Sequence, residues 1–124
     1  MVSKIYIAGP MTGIPQFNFT SFDLAAKSFI DDGFEVFSPA SHDRELLGKP
    51  HNWLPEAEDT VGPWQRWGEN IKNPPSLRQM LGDDLKWIAE NATHILMLRG
   101  WENSRGARAE HALAVALGLV IWYD

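Results

Sequence analysis

The sequence predicts one α/β domain over residues 1–124, built as a three-layer sandwich with helices on both faces of a sheet. Short apolar runs rich in β-branched residues alternate with longer segments whose apolar residues recur at helical spacing, which is typical of four to five mainly parallel strands. With 124 residues and a hydrophobic content of 44%, the chain is long enough to bury one core.

The first three predicted elements form a strand–helix–strand unit of the parallel type. Residues 4–9 (KIYIAG) are a short apolar run that ends at Gly-Pro, and they predict a buried strand. The helix that follows runs to about Asp32 and stops at Gly33. Its predicted buried face consists of Phe22, Ala25, Ala26 and Phe29. Residues 34–39 (FEVFSP) then predict the second strand.

The second half of the chain continues the alternation of helices and strands. Residues 75–91 predict a helix, residues 93–98 (THILML) a central strand, and residues 119–123 (LVIWY) the last strand. Between these two strands, a short loop at residues 100–106 opens a helix that stops at Gly118.

Residues 41–74 interrupt the alternation with a segment rich in proline and tryptophan, which includes Trp53, Trp64 and Trp67. So long a connection in a small domain is usually functional or disordered, and the tryptophans argue against full disorder. Two interpretations of this insertion stay open. It forms a lid or wall that stacks on a flat ligand, or it packs on the domain or on a second subunit.

The composition narrows the choice of partners and location. The net charge of −5 argues against stable binding to nucleic acid, which needs a basic face. The chain has no cysteine and its four histidines show no metal-ligand spacing, so we expect no disulfide, no metal and no cofactor. The sequence contains neither an apolar run of membrane-spanning length nor the apolar segment of a signal peptide. We therefore expect a cytoplasmic protein with no membrane partner.

Two predicted helices each carry one carboxylate on the face that should pack on the sheet. Counted at about 100° per residue, Glu110 lies in the middle of the apolar arc of the last helix, and Asp84 lies in that of the preceding helix. The two arcs consist of Ala107, Leu113, Ala114 and Leu117, and of Leu77, Met80, Leu81, Trp87 and Ile88. A carboxylate in such a place is costly unless it is paired, hydrogen-bonded or protonated. The presence of two such carboxylates favours a functional site over two buried carboxylates that are compensated only by structural contacts.

Ligands of open α/β sheets bind at the carboxyl ends of the strands, here residues 8–13, 38–41 and 98–106. Glu110 lies near the start of its helix and hence near that edge, and Tyr6 in the first strand can reach the same crevice. Two carboxylates and a phenol suit glycosidic chemistry, in which one carboxylate attacks or stabilises the anomeric carbon and an acid protonates the leaving group.

Three motifs resemble the nucleoside 2-deoxyribosyltransferase superfamily, in particular its short, DUF4406-like phage and bacterial members. They are KIYIAGPMTG at residues 4–13, DDLKWIAENATHILML at residues 83–98 and NSRGARAEHALAVALG at residues 103–118. The resemblance implies a flavodoxin- or Rossmann-like sheet, and cleavage or transfer at the N-glycosidic bond of a (2′-deoxy)nucleoside or nucleoside 5′-monophosphate. It also implies a homodimer or a higher homo-oligomer.

The resemblance assigns roles to particular residues. It makes Glu110 the nucleophile, Asp84 the residue that handles the nucleobase or its proton, and Tyr6 the residue that positions the nucleophile. The implied substrate pocket is lined by Gly9, Met11, Gly13, Trp101, Ser104, Arg105 and Gly106. Ser104 and the N–H groups after it resemble a 5′-phosphate cradle, in line with the preference of helix N-termini for anions. From its position alone, Ser104 is equally suited to capping the helix.

Other functions stay open. A non-catalytic nucleotide-binding or sensing module can use the same fold. An N-glycosidase that acts on NAD can use the same glutamate, with Trp64 or Trp67 as a stacking partner for the base. The choice between hydrolysis and transfer also stays open.

Overall fold

The computed structural model of the chain describes residues 2–60 and 76–124. Its strands are β1 (Lys4–Ala8), β2 (Glu35–Phe37), β3 (His94–Met97) and β4 (Val120–Tyr123). The helices in these ranges are α1 (Phe19–Asp31), α2 (Pro39–Leu47), α3 (Leu77–Asn91) and α4 (Arg105–Leu117), with short 3-10 turns at Pro15–Asn18 and Trp101–Asn103. None of the helices described there has the length and apolarity that a membrane span requires.

The four strands form one parallel sheet in the order β2-β1-β3-β4. The chain moves from β1 outward to β2 and then crosses back past β1 to β3, so the direction of winding reverses between β1 and β3. In open α/β sheets, such a reversal creates a crevice at the carboxyl ends of the two strands, where ligands bind. The predicted fold class is confirmed, as a flavodoxin- or Rossmann-like α/β sandwich with an all-parallel sheet.

The side chains of β1 enter two separate core layers because successive strand residues point to opposite faces. Tyr6 packs in a cluster with Ile88 of α3 and Ala107 of α4. Ile7 packs on the opposite face in a cluster with Phe22 of α1. Tyr6 therefore faces the two helices that carry the inward carboxylates.

The helix α2 lies where the sequence predicts the end of a strand and the start of a loop. Pro39 occupies its first turn, where the fixed φ of proline suits a helix and an N–H group is not needed. Gly48 ends the helix in the left-handed conformation. The sequence does not predict this helix, because its nine residues are mostly polar and its apolar periodicity is therefore weak.

The segment after α2 is anchored to the domain. The Arg44 guanidinium is almost fully buried, donates a hydrogen bond to the Trp53 carbonyl at 2.7 Å and forms a two-pronged ion pair with Asp23. The Trp53 ring meets Phe19 edge-on, with 6.1 Å between centroids. Trp53 thus packs on the domain, as one interpretation of the insertion expects. Trp64 and Trp67 lie outside the described residues.

The end turns of α3 and α4 are more exposed than the apolar arcs predict. Leu77 is 77% exposed and Leu117 is 46% exposed, so the prediction that both pack on the sheet is wrong. A strand of four residues spans about 13 Å and a helix of 13 residues about 20 Å. Because the helices are longer than the strands, their end turns extend beyond the sheet.

Candidate functional site

The structure brings Tyr6, Asp84 and Glu110 together, the three residues that the sequence predicts as a catalytic group. Tyr6 is fully buried in β1, and its hydroxyl donates a hydrogen bond to Oε2 of Glu110. Glu110 lies in the second turn of α4 and is 5% exposed. Asp84 of α3 interacts with the same hydroxyl and lines the same cavity as Glu110.

Burial raises the pKa of both carboxyl groups. The pKa of Glu110 rises from 4.5 to about 8 because the buried site disfavours the charged form, although the hydrogen bond from Tyr6 opposes the rise. The pKa of Asp84 rises from 3.8 to about 7, again mainly through burial. Burial and the two neighbouring carboxylates raise the pKa of Tyr6 well above its ordinary value, so this phenol stays neutral.

Two carboxyl groups that titrate this close together bind and release protons as a pair. Because burial raises the pKa of Asp84 to about 7 and that of Glu110 to about 8, the pair retains a proton near neutral pH, mainly on Glu110. It can therefore supply a carboxylate that attacks and an acid that protonates a leaving group at near-neutral pH.

A cavity of about 770 Å³ opens at the carboxyl ends of β1 and β3, where the sequence places the site. Its volume is within the range of small-molecule sites. The predicted site residues that line it are Tyr6, Gly9, Met11, Gly13, Asp84, Ser104, Arg105, Gly106 and Glu110. Within residues 2–60 and 76–124, no three His, Cys, Asp or Glu side chains are grouped so as to hold a metal ion.

Trp101 is the predicted site residue that the structure places elsewhere. It does not line the cavity but stacks near His111 and Tyr123, with ring centroids 4.3 Å and 6.2 Å away. The His111 ring in turn shares a hydrogen bond with the Tyr123 hydroxyl at 2.8 Å. The sequence puts Trp101 in the correct loop, but packing against α4 and β4 decides the direction of its side chain.

The cavity lining also includes residues to which the sequence assigns no role in the site, among them Phe17, Asp43, Arg99 and Asn103. Arg99 and Asn103 follow the end of β3, so the position of both at the ligand-binding edge follows from the strand alone. Asp43 lies one helical turn after Pro39 on α2, the helix whose periodicity is weak. Phe17 lies in an irregular turn that no sequence pattern indicates.

Gly9 allows one wall of the cavity to form. A Cβ added at this position would lie 2.7 Å from Cβ of Leu98, which is closer than carbon atoms tolerate. Only glycine therefore lets the loop at residues 9–13 pass this close to the end of β3. The same loop contributes Met11 and Gly13 to the cavity lining.

The start of α4 forms a polar wall. The Ser104 hydroxyl caps the helix by accepting a hydrogen bond from the Ala107 N–H at 3.2 Å. Ser104, Arg105 and Gly106 also line the cavity, so the N-terminus of the helix presents its partial positive charge there. Ser104 therefore caps the helix and faces the cavity at once.

A parallel α/β sheet whose winding reverses between β1 and β3 defines a class of fold, the doubly wound α/β domains. The chain belongs to the family described as a domain of unknown function, DUF4406, whose family model matches residues 3–60 and 65–123. The DUF4406-like character that the sequence motifs imply is thereby confirmed. No curated protein and no solved structure gives a significant match.

Proposed function

We propose that this chain cleaves the N-glycosidic bond of a (2′-deoxy)nucleoside or a nucleoside 5′-monophosphate, as an N-glycosidase or a 2-deoxyribosyltransferase. The observation that carries the proposal is the buried Glu110 carboxyl group, which accepts a hydrogen bond from Tyr6 and shares a cavity with Asp84. The resemblance of three sequence motifs to the nucleoside 2-deoxyribosyltransferase superfamily supports it.

In the proposed reaction, a Glu110 carboxylate oxygen bonds to the anomeric carbon while the bond from that carbon to the base nitrogen breaks. The single proton of the pair, which rests mainly on Glu110 in the free protein, moves to Asp84 as the Glu110 carboxylate forms. The electron pair of the broken bond leaves with the base, and Asp84 donates this proton to it. Tyr6 holds Oε2 of Glu110 and leaves Oε1 available for attack. Water or a second base then attacks the anomeric carbon, and the bond from that carbon to the Glu110 oxygen breaks. The Asp84 carboxylate accepts the proton of the incoming group, which completes hydrolysis or transfer.

The polar wall supports a substrate with a 5′-phosphate. Ser104 and the first N–H groups of α4 offer donors to an anion, and the side chains of Arg99 and Arg105 add positive charge to the cavity lining. This charge is local, because the chain as a whole carries a net charge of −5.

The carboxyl pair favours an enzyme over a non-catalytic nucleotide-binding or sensing module. A module that only binds nucleotides does not need two buried carboxyl groups, and the raised pKa values show that burying them is unfavourable for their charged forms. An N-glycosidase that acts on NAD is the other alternative, and the residues that would stack on its base, Trp64 and Trp67, lie outside the described residues.

We expect Glu110→Gln to abolish turnover, because glutamine keeps the shape and the hydrogen bond from Tyr6 but cannot form the sugar ester. Purified wild type would be incubated with ribo- and deoxynucleosides and their 5′-monophosphates, and released base measured by chromatography. Base release should fall by about a thousandfold or more in the variant. Glu102→Gln is the matched control, since this carboxylate is exposed and does not line the cavity.

Base release at the wild-type rate by Glu110→Gln would remove Glu110 from the mechanism. If the wild type releases no base from any compound but binds some of them, the sensing module becomes the better description.

We expect Ser104→Asp to weaken the binding of 5′-monophosphates about tenfold or more and to leave the binding of nucleosides nearly unchanged. Aspartate retains the cap on α4 but places a negative charge where the phosphate is proposed to bind. Competition assays with matched nucleoside and monophosphate pairs measure the two affinities. Equal effects on both members of a pair would contradict the phosphate cradle.

We also propose that the chain works as a homodimer or a higher homo-oligomer. Apolar side chains are exposed on α4 and on the edge strand β4, including Val115, Val120 and Tyr123, and an exposed edge strand favours pairing with another chain. The cytoplasmic location stays a prediction from the sequence.

A further inference from the structure

The turn that leads from the cavity into α1 has an unusual backbone. Gln16, Phe17 and Asn18 have φ values of 53°, 55° and 61°, so three consecutive residues other than glycine are left-handed. Asparagine tolerates this conformation, but glutamine and phenylalanine are strained in it. Strain of this kind persists only where surrounding contacts hold it, and it is concentrated at functional sites.

Hydrogen bonds hold the turn on both sides. The Asn18 amide donates to the Pro10 carbonyl at 2.8 Å, which ties the turn to the loop after β1. The Gln16 amide donates to the Pro55 carbonyl at 3.0 Å, which ties it to the segment after α2. The left-handed conformation is therefore built into the folded chain by contacts from two separate segments.

The result of this conformation is the position of Phe17. Its side chain is 9% exposed, packs in the same cluster as Phe19 and also lines the cavity. A change in the sign of φ redirects the Cα–Cβ bond relative to the chain, so the handedness of the turn decides that this ring reaches the cavity.

Phe17 gives the cavity an apolar wall. Met11 and Ile14 line the cavity from the same loop, whereas Ser104 and Arg105 line it from the start of α4. The lining thus combines an apolar part from the β1–α1 loop with a polar part from α4. A nucleotide has the same division, with a flat base at one end and an anion at the other.

We propose that Phe17 is a specificity-determining residue that contacts the flat face of a heteroaromatic leaving group, and that the left-handed turn exists to present it. This inference rests on the proposed N-glycosidic chemistry and adds the residue that selects the leaving group. An aromatic ring suits this role because it packs on the face of any nucleobase without a specific hydrogen bond.

The test compares two ligands that share the sugar and the phosphate, a deoxynucleoside 5′-monophosphate and 2-deoxyribose 5-phosphate. The anomeric carbon carries the base in the first and a hydroxyl in the second. Calorimetry would measure both dissociation constants in the Glu110→Gln background, where no turnover is expected. Phe17→Leu should raise the dissociation constant of the nucleotide about tenfold, which is in the range that stacking contacts provide. It should leave the dissociation constant of the sugar phosphate unchanged. Phe17→Tyr keeps the ring and should bind the nucleotide nearly as well as the parent.

Phe22→Leu is the matched control, because Phe22 belongs to the same apolar cluster but does not line the cavity. It should change neither dissociation constant. If Phe17→Leu weakens the binding of both ligands equally, or if Phe22→Leu weakens nucleotide binding as much as Phe17→Leu does, Phe17 acts only through packing. The inference is then overturned while the proposed function stands. Failure of the parent protein to bind any nucleotide would overturn both.

A second measurement needs no substitution and applies even if Phe17→Leu does not fold. In the complex with the nucleotide, nuclear Overhauser effects should connect the Phe17 ring protons to protons of the base. A bound nucleotide whose base shows contacts to other side chains but none to Phe17 would overturn the inference.

Discussion

Glu110 lies on the apolar side of α4 with Ala107 and Ala114 as its buried helix neighbours, and the Tyr6 hydroxyl is its hydrogen-bond donor. One neutral donor cannot replace the water that a carboxylate loses on burial, so the protonated form is favoured at neutral pH. Folding therefore ties the protonation of one side chain to the stability of the whole domain.

We expect the stability of the wild type to decrease with pH relative to that of Glu110→Gln. Because burial raises the pKa of Glu110 from 4.5 to about 8, the native state retains a proton that the unfolded chain releases above pH 4.5. The contribution of this group is fully present below the lower value and is lost as the pH rises through the higher one. Between the two values, the difference in unfolding free energy should change by about 1.4 kcal/mol per pH unit.

Urea denaturation of both proteins across this pH range measures the difference. Glu102→Gln serves again as the control, since this exposed carboxylate should show no such trend relative to the wild type. Parallel stability curves for the wild type and Glu110→Gln would contradict a raised pKa at Glu110.

At the scale of single elements, the turn at Pro15–Asn18 differs most from what its sequence suggests. Asn18 is both the last left-handed residue of the turn and the N-cap of α1, and its side chain bonds to the Pro10 carbonyl rather than to the helix. The residue thus joins the entry of a helix to the exit of a strand.

We expect Asn18→Gly to be more stable than Asn18→Ala by about 1 kcal/mol. Both variants lose the hydrogen bond to Pro10, but only alanine is also strained at a φ of 61°. Thermal or urea unfolding measures the order. At Ser28, an exposed position inside α1, the same pair of substitutions should show the opposite order, because alanine is the better helix former. If Asn18→Ala were more stable than Asn18→Gly, the turn would not be left-handed in solution.

At the scale of the whole molecule, the reversal of winding between β1 and β3 decides where the cavity with the candidate site lies. The loop after β1 and the loop after β3 diverge there, and each contributes one wall of the cavity. Helices α3 and α4 pack on the same face of the sheet, which brings their inward carboxyl groups to the Tyr6 hydroxyl. One topological feature thus assembles groups from three separate elements.

Most of the fold follows from the sequence because it depends on local periodicity. Alternating apolar runs and helical spacing predict every strand and three of the four helices described, with ends that differ by no more than two residues. The helix α2 was missed because few apolar residues mark its period. The exposure of Leu77 and Leu117 at helix ends that extend beyond the sheet was not predicted. The periodicity of a helix indicates which face is buried but not how long the strand beneath it is.

The sequence by itself determined that Asp84 and Glu110 face inward and that Ser104 opens α4, since each follows from the geometry of consecutive residues. Only the tertiary structure decided that Tyr6 meets Glu110, which is 104 residues away along the chain. It also decided that Trp101 turns away from the cavity and that Phe17 turns into it. These outcomes depend on packing and hydrogen bonds between distant segments, and no local pattern of residues encodes them.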